Sequence, residues 1–125
     1  MDISVVIPLF NERESLPELC EWIVRVMSDN SYSYELIMVD DGSTDGSWDT
    51  VEKLAAENPS VHGVRFRRNY GKSAALFCGF ERAQGDVVIT MDADLQDPPA
   101  LLPEMYEYIE QGYDSVATRR VDRKG

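Results

Sequence analysis

Short apolar runs alternate along this chain with longer segments whose apolar residues recur at helical spacing. The first run, ISVVIP over residues 3–8, is rich in β-branched residues and ends at proline, which is typical of a buried strand. The segment over residues 14–29 repeats its apolar positions every three or four residues and predicts an amphipathic helix. The same pattern predicts further strands over residues 35–39, 61–66, 86–91 and 114–118, and further helices over residues 45–57 and 72–83 and from Pro98-Pro99 to Gly112.

This alternation determines the expected fold class. Strands separated by helices form βαβ units, so we expect an α/β domain with a mainly parallel, Rossmann-like sheet and helices on both faces. A length of 125 residues fits one such domain. We also expect Ser43 or Thr44 to cap the second helix. In open parallel sheets, ligands bind outside the carboxyl ends of the strands, so polar residues there are the candidates for function.

Charge and cysteine content exclude several classes of protein. The chain carries 12 basic and 23 acidic residues, a net charge of -11, which argues against a nucleic-acid-binding surface and is compatible with a cation site. Two cysteines without CxxC spacing form neither a disulfide framework nor a zinc site. No apolar run approaches the roughly 20 residues needed to span a bilayer, and no signal peptide follows Met1. We therefore expect a cytoplasmic domain.

The most informative motif is Asp92-x-Asp94-x-Gln96, directly after the predicted strand over residues 86–91. Alternate residues leaving a strand project to the same side, so three oxygen ligands can meet one Mg²⁺ or Mn²⁺ ion. A nucleotide diphosphate would complete the coordination shell. An EF-hand loop is excluded because Pro103 occupies the position of its bidentate glutamate. Capping of the next helix explains Asp97 better than metal binding does.

Two further strand ends carry candidate ligand contacts. Asp40 and Asp41 end the second strand, and one carboxylate, with Asp41 the first choice, can accept a hydrogen bond from a nucleobase ring N–H. The alternative is an Asx-turn into the next helix, which suits Asp45 better. Lys72 follows Gly71 at a helix start and either binds an anionic group or belongs to a solvated strand end, together with Arg65, Arg67 and Arg68. The chain contains neither GxGxxG after the first strand nor GxxxxGK[ST], which argues against a dinucleotide-binding domain and excludes a P-loop.

These motifs together resemble the family-two inverting glycosyltransferases of the GT-A fold. The matching runs are VVIPLFNE (residues 5–12), VDDGSTD (39–45), RNYGKSAAL (68–76) and MDADLQDPP (91–99). Within that family the sequence is most similar to the polyprenyl-phosphate sugar transferases, the dolichol-phosphate mannose synthase group. The resemblance implies that residues 1–125 form one GT-A nucleotide-sugar-binding domain.

The resemblance also implies roles for particular residues. Asp92 and Asp94 would be the catalytic residues and, with Gln96, the ligands of Mg²⁺ or Mn²⁺ beside the donor diphosphate. An arginine after the fifth strand contacts the acceptor phosphate in relatives, and Arg120, or Arg119 beside it, is expected to do so. The implied nucleotide contacts, to which the residue pattern adds Lys72, are Pro8, Phe10 (commonly Tyr in the family), Glu12, Val39, Asp41, Asp92 and Ala93.

The implied reaction is metal-assisted transfer of a sugar, with inversion, from a UDP- or GDP-sugar. A polyprenyl phosphate acceptor is already anionic and needs no general base, whereas a saccharide hydroxyl, as in cell-wall or polysaccharide synthesis, would need one. Family members continue with an acceptor-binding region and often with membrane-associated helices. We therefore expect this chain to be truncated at its C-terminus and the full-length enzyme to lie at the cytoplasmic face of a membrane. A nucleotide-sugar-binding fragment without turnover is the other possibility.

Two other protein classes share parts of this pattern. A receiver-type signalling domain has a similar length and βα alternation, but its acidic residues follow the first and third strands, whereas here they follow the second and fourth. A nucleotidyltransferase would carry a Gly- and Arg-rich phosphate loop after the first strand, and Pro8 to Glu12 contains nothing similar.

Overall fold

Strands and helices alternate in the computed structural model of the chain, which describes residues 1–95 and 98–111 and the backbone of 121–123. The strands are β1 (Ile3–Leu9), β2 (Tyr34–Asp40), β3 (Val61–Arg65), β4 (Val87–Thr90) and β5 (Val121–Arg123). The α-helices are α1 (Leu16–Asp29), α2 (Ser47–Glu57), α3 (Lys72–Arg82) and α4 (Leu102–Glu110), the last preceded by a 3₁₀ turn over Pro99–Leu101. Four predicted strands and four predicted helices are thus confirmed, with small shifts at their ends.

One five-stranded sheet runs in the order β3-β2-β1-β4-β5. The first four strands in this order are mutually parallel, and Val5 of β1 pairs with Leu36 on one side and Ile89 on the other. β5 pairs antiparallel with β4 at the edge. The predicted strand over residues 114–118 lies outside the described residues. The expected α/β fold with a mainly parallel sheet is confirmed. From β1 the chain adds β2 and β3 on one side and then β4 on the other, so the strand order reverses between β1 and β4.

Helices cover both faces of this sheet, as expected. In β1, Val5 and Ile7 point into the larger core with α1, α2 and α4, whereas Val6 points into the smaller core beneath α3. All three side chains are fully buried. A strand that is buried on both faces reads as a continuous apolar run, which is why ISVVIP shows no polar alternation. α3 approaches the sheet closely at Gly79, where a β-carbon would overlap Val6.

The start of α2 differs from the expected serine or threonine cap. The helix begins at Ser47, and its N-cap residue is Gly46, with φ 93° and no side-chain cap. Asp45 instead forms the Asx-turn, with Oδ1 accepting the Ser47 N–H at 2.9 Å. The hydrogen bond from Ser47 Oγ, with those from the backbone N–H groups of Ser47 and Arg13, lowers the pKa of the Asp45 carboxyl. The prediction of a Ser43 or Thr44 cap was wrong because a left-handed glycine, Gly46, occupies the cap position two to three residues later.

A buried carboxylate joins the strands at their amino ends, away from the strand-end motifs. Glu35 is 4% exposed, and its Oε2 accepts hydrogen bonds from Ser4 Oγ at 2.6 Å and from the Gln84 N–H at 2.7 Å. Ser4 Oγ in turn accepts the Gly85 N–H at 2.7 Å. His62 Nε2 lies 3.7 Å from Glu35 Oε1. These contacts connect β1, β2, β3 and the segment before β4.

The described helices were also compared with the length and apolarity that a bilayer crossing requires. None of the helices within residues 1–95 and 98–111 meets both requirements.

Candidate functional site

A cavity of about 330 Å³ opens at the carboxyl ends of β1, β2 and β4. It lies where the strand order reverses, between β1 and β4, which is the usual ligand position in an open α/β sheet. Its lining residues are Pro8, Leu9, Phe10, Glu12, Asp41, Lys72, Asp92, Ala93 and Asp94. The structure thus brings together every described residue of the expected donor site except Val39. Val39 is fully buried in the core beneath α3, so its side chain cannot contact a ligand in this cavity.

The segment after β1 presents an aromatic ring and a carboxylate to the cavity. Asn11 has φ 53°, and its N–H donates to Ser43 Oγ while its Oδ1 accepts the Thr44 N–H, both at 2.8 Å. These bonds hold the segment after β1 against the segment after β2. They leave the ring of Phe10 44% exposed, beside Glu12 at the cavity wall. An exposed aromatic face at this point can stack on a planar base.

Asp92 is paired with Lys72 in the cavity. The ammonium Nζ of Lys72 lies 2.8 Å from Asp92 Oδ1, with the side chains 63% and 36% exposed. A pair this exposed contributes less than about 1 kcal/mol to folding, so its main effect is on the charge of the cavity. Asp94, two residues after Asp92, is exposed. The carbonyl of Ala93, between them, accepts a hydrogen bond from Ser15 Oγ at 2.5 Å. That bond ties the segment after β4 to the start of α1.

The metal ligands can be tested against this geometry. Within residues 1–95 and 98–111, no three His, Cys, Asp or Glu side chains lie close enough together to hold a metal. Asp92 and Asp94 are two of the four carboxylates among the described residues that line the cavity, and Asp92 attracts the Lys72 ammonium at hydrogen-bonding distance. Mg²⁺ commonly binds one or two protein carboxylates and takes its remaining ligands from phosphate and water. The residues present fit that mode. Gln96, the third expected ligand, lies outside the described residues.

Asp41 has a role that sequence reasoning missed. Its side chain is 5% exposed, and Oδ1 accepts the Tyr70 N–H at 2.7 Å while Oδ2 accepts the Gly71 N–H at 3.0 Å. Both oxygens therefore anchor the segment that precedes Lys72. Each oxygen retains a lone pair, so a nucleobase N–H can still share the carboxylate. No local sequence pattern predicts this pairing, because it joins residues about 30 positions apart.

Asp40 has a different environment from its neighbour. It is fully buried, and its Oδ1 accepts the Ser43 N–H at 2.8 Å, three residues along the chain. Its Oδ2 has no hydrogen-bond partner among the residues that the structure describes. Asp40 therefore shapes the turn after β2, and Asp41 is the member of the pair that lines the cavity.

Gly42 allows the segments after β2 and β3 to touch. It has φ 80°, and a β-carbon there would lie 2.5 Å from Asn69 N and 2.8 Å from Arg68 Cα. The space beside the Gly42 Cα is thus filled by the backbone of the segment after β3. This packing places the Tyr70–Gly71 backbone within reach of Asp41.

The basic cluster of residues 65–72 divides into two groups. Arg65 lies over the ring of Trp48 at 5.8 Å, and Arg68 over the ring of Tyr70 at 5.1 Å. Both arginines therefore cover aromatic side chains, and neither is among the described lining residues of the cavity. Lys72 does line it, which favours the ligand interpretation for this residue over the solvated strand end. The expected acceptor-phosphate residues Arg119 and Arg120 lie outside the described residues.

Comparison with known proteins shows close relatives over nearly the whole chain. It is 50% identical over 123 residues to an undecaprenyl-phosphate 4-deoxy-4-formamido-L-arabinose transferase of Pseudomonas fluorescens, and 48% identical over 123 residues to one of Aeromonas hydrophila. Both alignments cover 98% of this chain but only 36% and 38% of the relatives. The chain thus spans little more than a third of the length of these relatives.

Solved structures confirm the fold class. A mannosyltransferase from Pyrobaculum calidifontis, in complex with GDP-Man and Mn²⁺, superposes with a TM-score of 0.70 at 24% identity, covering 91% of this chain and 33% of that one. A glucosyl-3-phosphoglycerate synthase from Mycobacterium tuberculosis, in complex with UDP, superposes with a TM-score of 0.72 at 24% identity, covering 91% and 42%. At these identities the similarity establishes the GT-A fold and nothing about ligands.

The family follows from the match along the whole chain. The family model described as glycosyl transferase family 2 matches residues 4–125, which include every strand-end motif that lines the cavity. The chain therefore belongs to glycosyl transferase family 2.

Proposed function

We propose that this domain binds the nucleotide diphosphate of a sugar donor, with Mg²⁺ or Mn²⁺ held at Asp92 and Asp94. The observation that carries the proposal is the cavity at the β1–β4 reversal, which brings together the ring of Phe10, the carboxylates of Asp92 and Asp94 and the ammonium group of Lys72. A nucleotide diphosphate offers a matching part for each of them. The domain's remaining basic groups lie elsewhere or outside the described residues.

Five of the lining residues then have tasks in donor binding. The exposed ring of Phe10 stacks on the base, and Asp41, whose oxygens retain lone pairs, accepts a base N–H. Asp92 and Asp94 would hold the metal, with Gln96 as the third ligand, and a bound metal would supply positive charge beside the departing diphosphate. Lys72 adds a positive charge next to the same phosphates, where charge develops as the sugar leaves.

We further propose that the whole protein transfers this sugar, with inversion, to a polyprenyl phosphate. The support is the high identity to two proteins named as undecaprenyl-phosphate 4-deoxy-4-formamido-L-arabinose transferases. The proposed donor sugar is accordingly 4-deoxy-4-formamido-L-arabinose, carried by UDP or GDP. An acceptor phosphate oxygen is already anionic, so inversion requires no protein base. In this proposal Arg120 or Arg119 meets the acceptor phosphate, and the whole enzyme works at the cytoplasmic face of a membrane.

Calorimetry tests the donor site on this chain directly. UDP and GDP are each titrated with Mn²⁺, with Mg²⁺ and with EDTA, into the native chain and into Asp94→Ala. We expect one nucleotide to bind only with metal, and Asp94→Ala to weaken binding at least about tenfold, since it removes a charged ligand. A folded native chain that binds neither nucleotide would overturn the proposal.

A further inference from the structure

The Lys72–Asp92 pair brings a cation of the protein to the expected metal position. Nζ of Lys72 lies 2.8 Å from Asp92 Oδ1, on the cavity wall that also carries Asp94. Two carboxylates separated by a single residue repel each other unless a positive charge lies nearby. In a chain of net charge -11 the surroundings reinforce that repulsion. The ammonium group of Lys72 supplies such a positive charge beside Asp92.

We propose that Lys72 is an exchangeable counter-ion: it neutralises Asp92 while the site is empty, and moves to the donor diphosphate when the metal binds. This inference rests on the donor site proposed above and assigns Lys72 a second position within it. An ammonium and a divalent cation repel each other, so Lys72 and the metal compete for Asp92. The diphosphate that arrives with the metal gives the displaced ammonium a new anionic partner.

The structure provides a fixed base and a movable tip for this exchange. Lys72 is the first residue of α3. The preceding residue, Gly71, is held in place because its N–H donates a hydrogen bond to the buried Asp41 carboxylate. The Lys72 side chain is 63% exposed, and its ammonium group lies at the end of a flexible four-carbon stem. The ammonium can therefore change partners while the backbone of Lys72 stays in place. Asp41 therefore acts as a positioning residue for Lys72.

Binding of Mn²⁺ alone tests the first half of the exchange. Free Mn²⁺ is measured by electron paramagnetic resonance during titration of the native chain, of Lys72→Met and of Lys53→Met. Lys53 is exposed on α2 and gives the same change in net charge outside the cavity. We expect Lys72→Met to bind Mn²⁺ about three- to tenfold more tightly than Lys53→Met, because Lys72, unlike Lys53, is paired with Asp92. Equal or weaker Mn²⁺ binding by Lys72→Met overturns the counter-ion role.

Comparison of nucleoside diphosphate with monophosphate tests the second half. With saturating Mn²⁺, we expect Lys72→Met to lose about tenfold in affinity for the diphosphate and little for the monophosphate, since the displaced ammonium meets the terminal phosphate. Equal losses for both ligands, or none, overturn the transfer to the diphosphate. If the native chain binds metal nucleotide normally in that case, the donor site stands and only this inference fails. If the native chain binds no nucleotide, the donor site itself fails, while the Mn²⁺ titration still decides the counter-ion role.

Discussion

The carboxylate of Asp41 accepts the backbone N–H of Gly71 at 3.0 Å, so a buried residue at the end of β2 determines where α3 begins. The same carboxylate accepts the Tyr70 N–H at 2.7 Å. The next residue, Lys72, thereby reaches across the cavity to Asp92 at the end of β4. The side chains of Asp41 and Lys72 thus connect the segments that follow β2, β3 and β4.

Asp41→Asn is expected to weaken both the fold and the donor site. An amide keeps one acceptor oxygen but turns its NH₂ group toward a backbone N–H, so one charge-assisted bond is lost and a donor is left facing a donor. We expect the free energy of unfolding in urea to fall by about 1–3 kcal/mol. Nucleotide affinity measured by calorimetry should fall as well. The control is Asp86→Asn, which removes the same charge from an exposed residue and should alter neither the unfolding free energy nor the nucleotide affinity. Equal effects of the two variants would show that Asp41 acts only through net charge.

Gly42→Ala should cost more stability than Gly46→Ala. Both residues have positive φ, 80° and 93°, so each alanine pays a conformational cost of about 1–2 kcal/mol. At Gly46 the new β-carbon would meet only the flexible Arg13 side chain at 3.4 Å, whereas at Gly42 it would lie 2.5 Å from Asn69 N. The backbone at Asn69 must therefore move. Urea unfolding of the two variants measures the difference, and a smaller loss for Gly42→Ala would contradict the close approach seen here.

Glu35→Gln is expected to destabilise the sheet without affecting the donor site. Glu35 accepts hydrogen bonds from Ser4 Oγ and from the Gln84 N–H at the amino ends of the strands. Loss of a buried charged acceptor should lower the free energy of unfolding by about 1–3 kcal/mol. The Ser4 and Glu35 side chains are hydrogen-bonded to each other. The combined variant Ser4→Ala/Glu35→Gln should therefore lose less unfolding free energy than the sum of the losses in the two single variants. Strict additivity, or a large loss of nucleotide affinity, would contradict this assignment.

The depressed pKa of Asp45 predicts an acid-dependent contribution to stability. Hydrogen bonds from Ser47 favour the ionised carboxyl, so its pKa is lower in the folded than in the unfolded chain. A lowered folded pKa stabilises the protein above the unfolded value, about 3.9 for aspartate, and the gain disappears as the pH falls through the folded value. The difference in unfolding free energy between the native chain and Asp45→Asn should therefore be constant above about pH 5 and shrink in more acidic solution. A difference that stays constant down to pH 2 would contradict the shift.

The sequence by itself determined four of the strands, the four α-helices and the edge of the sheet that carries the site. Strands buried on both faces require continuous apolar runs, and helices that cover a sheet require apolar residues with a 3.6-residue period. Both elements can therefore be predicted from the local sequence. Alternation of the two implies parallel strands, and parallel strands bring their carboxyl ends to one edge. Asp41, Asp92 and Asp94 follow strands of this sheet, as do Phe10 and Glu12, which the family resemblance indicated, and the cavity contains all five.

Only the tertiary structure decided which groups meet at that edge. The pairing of Lys72 with Asp92 and of Asp41 with Gly71 joins segments that are distant along the chain. The burial of Val39 beneath α3 and the Gly46 start of α2 likewise depend on packing and on a left-handed turn. A charged side chain selects its partner by distance and by the competing partners around it, and those distances exist only once β2, β3 and β4 lie in one sheet.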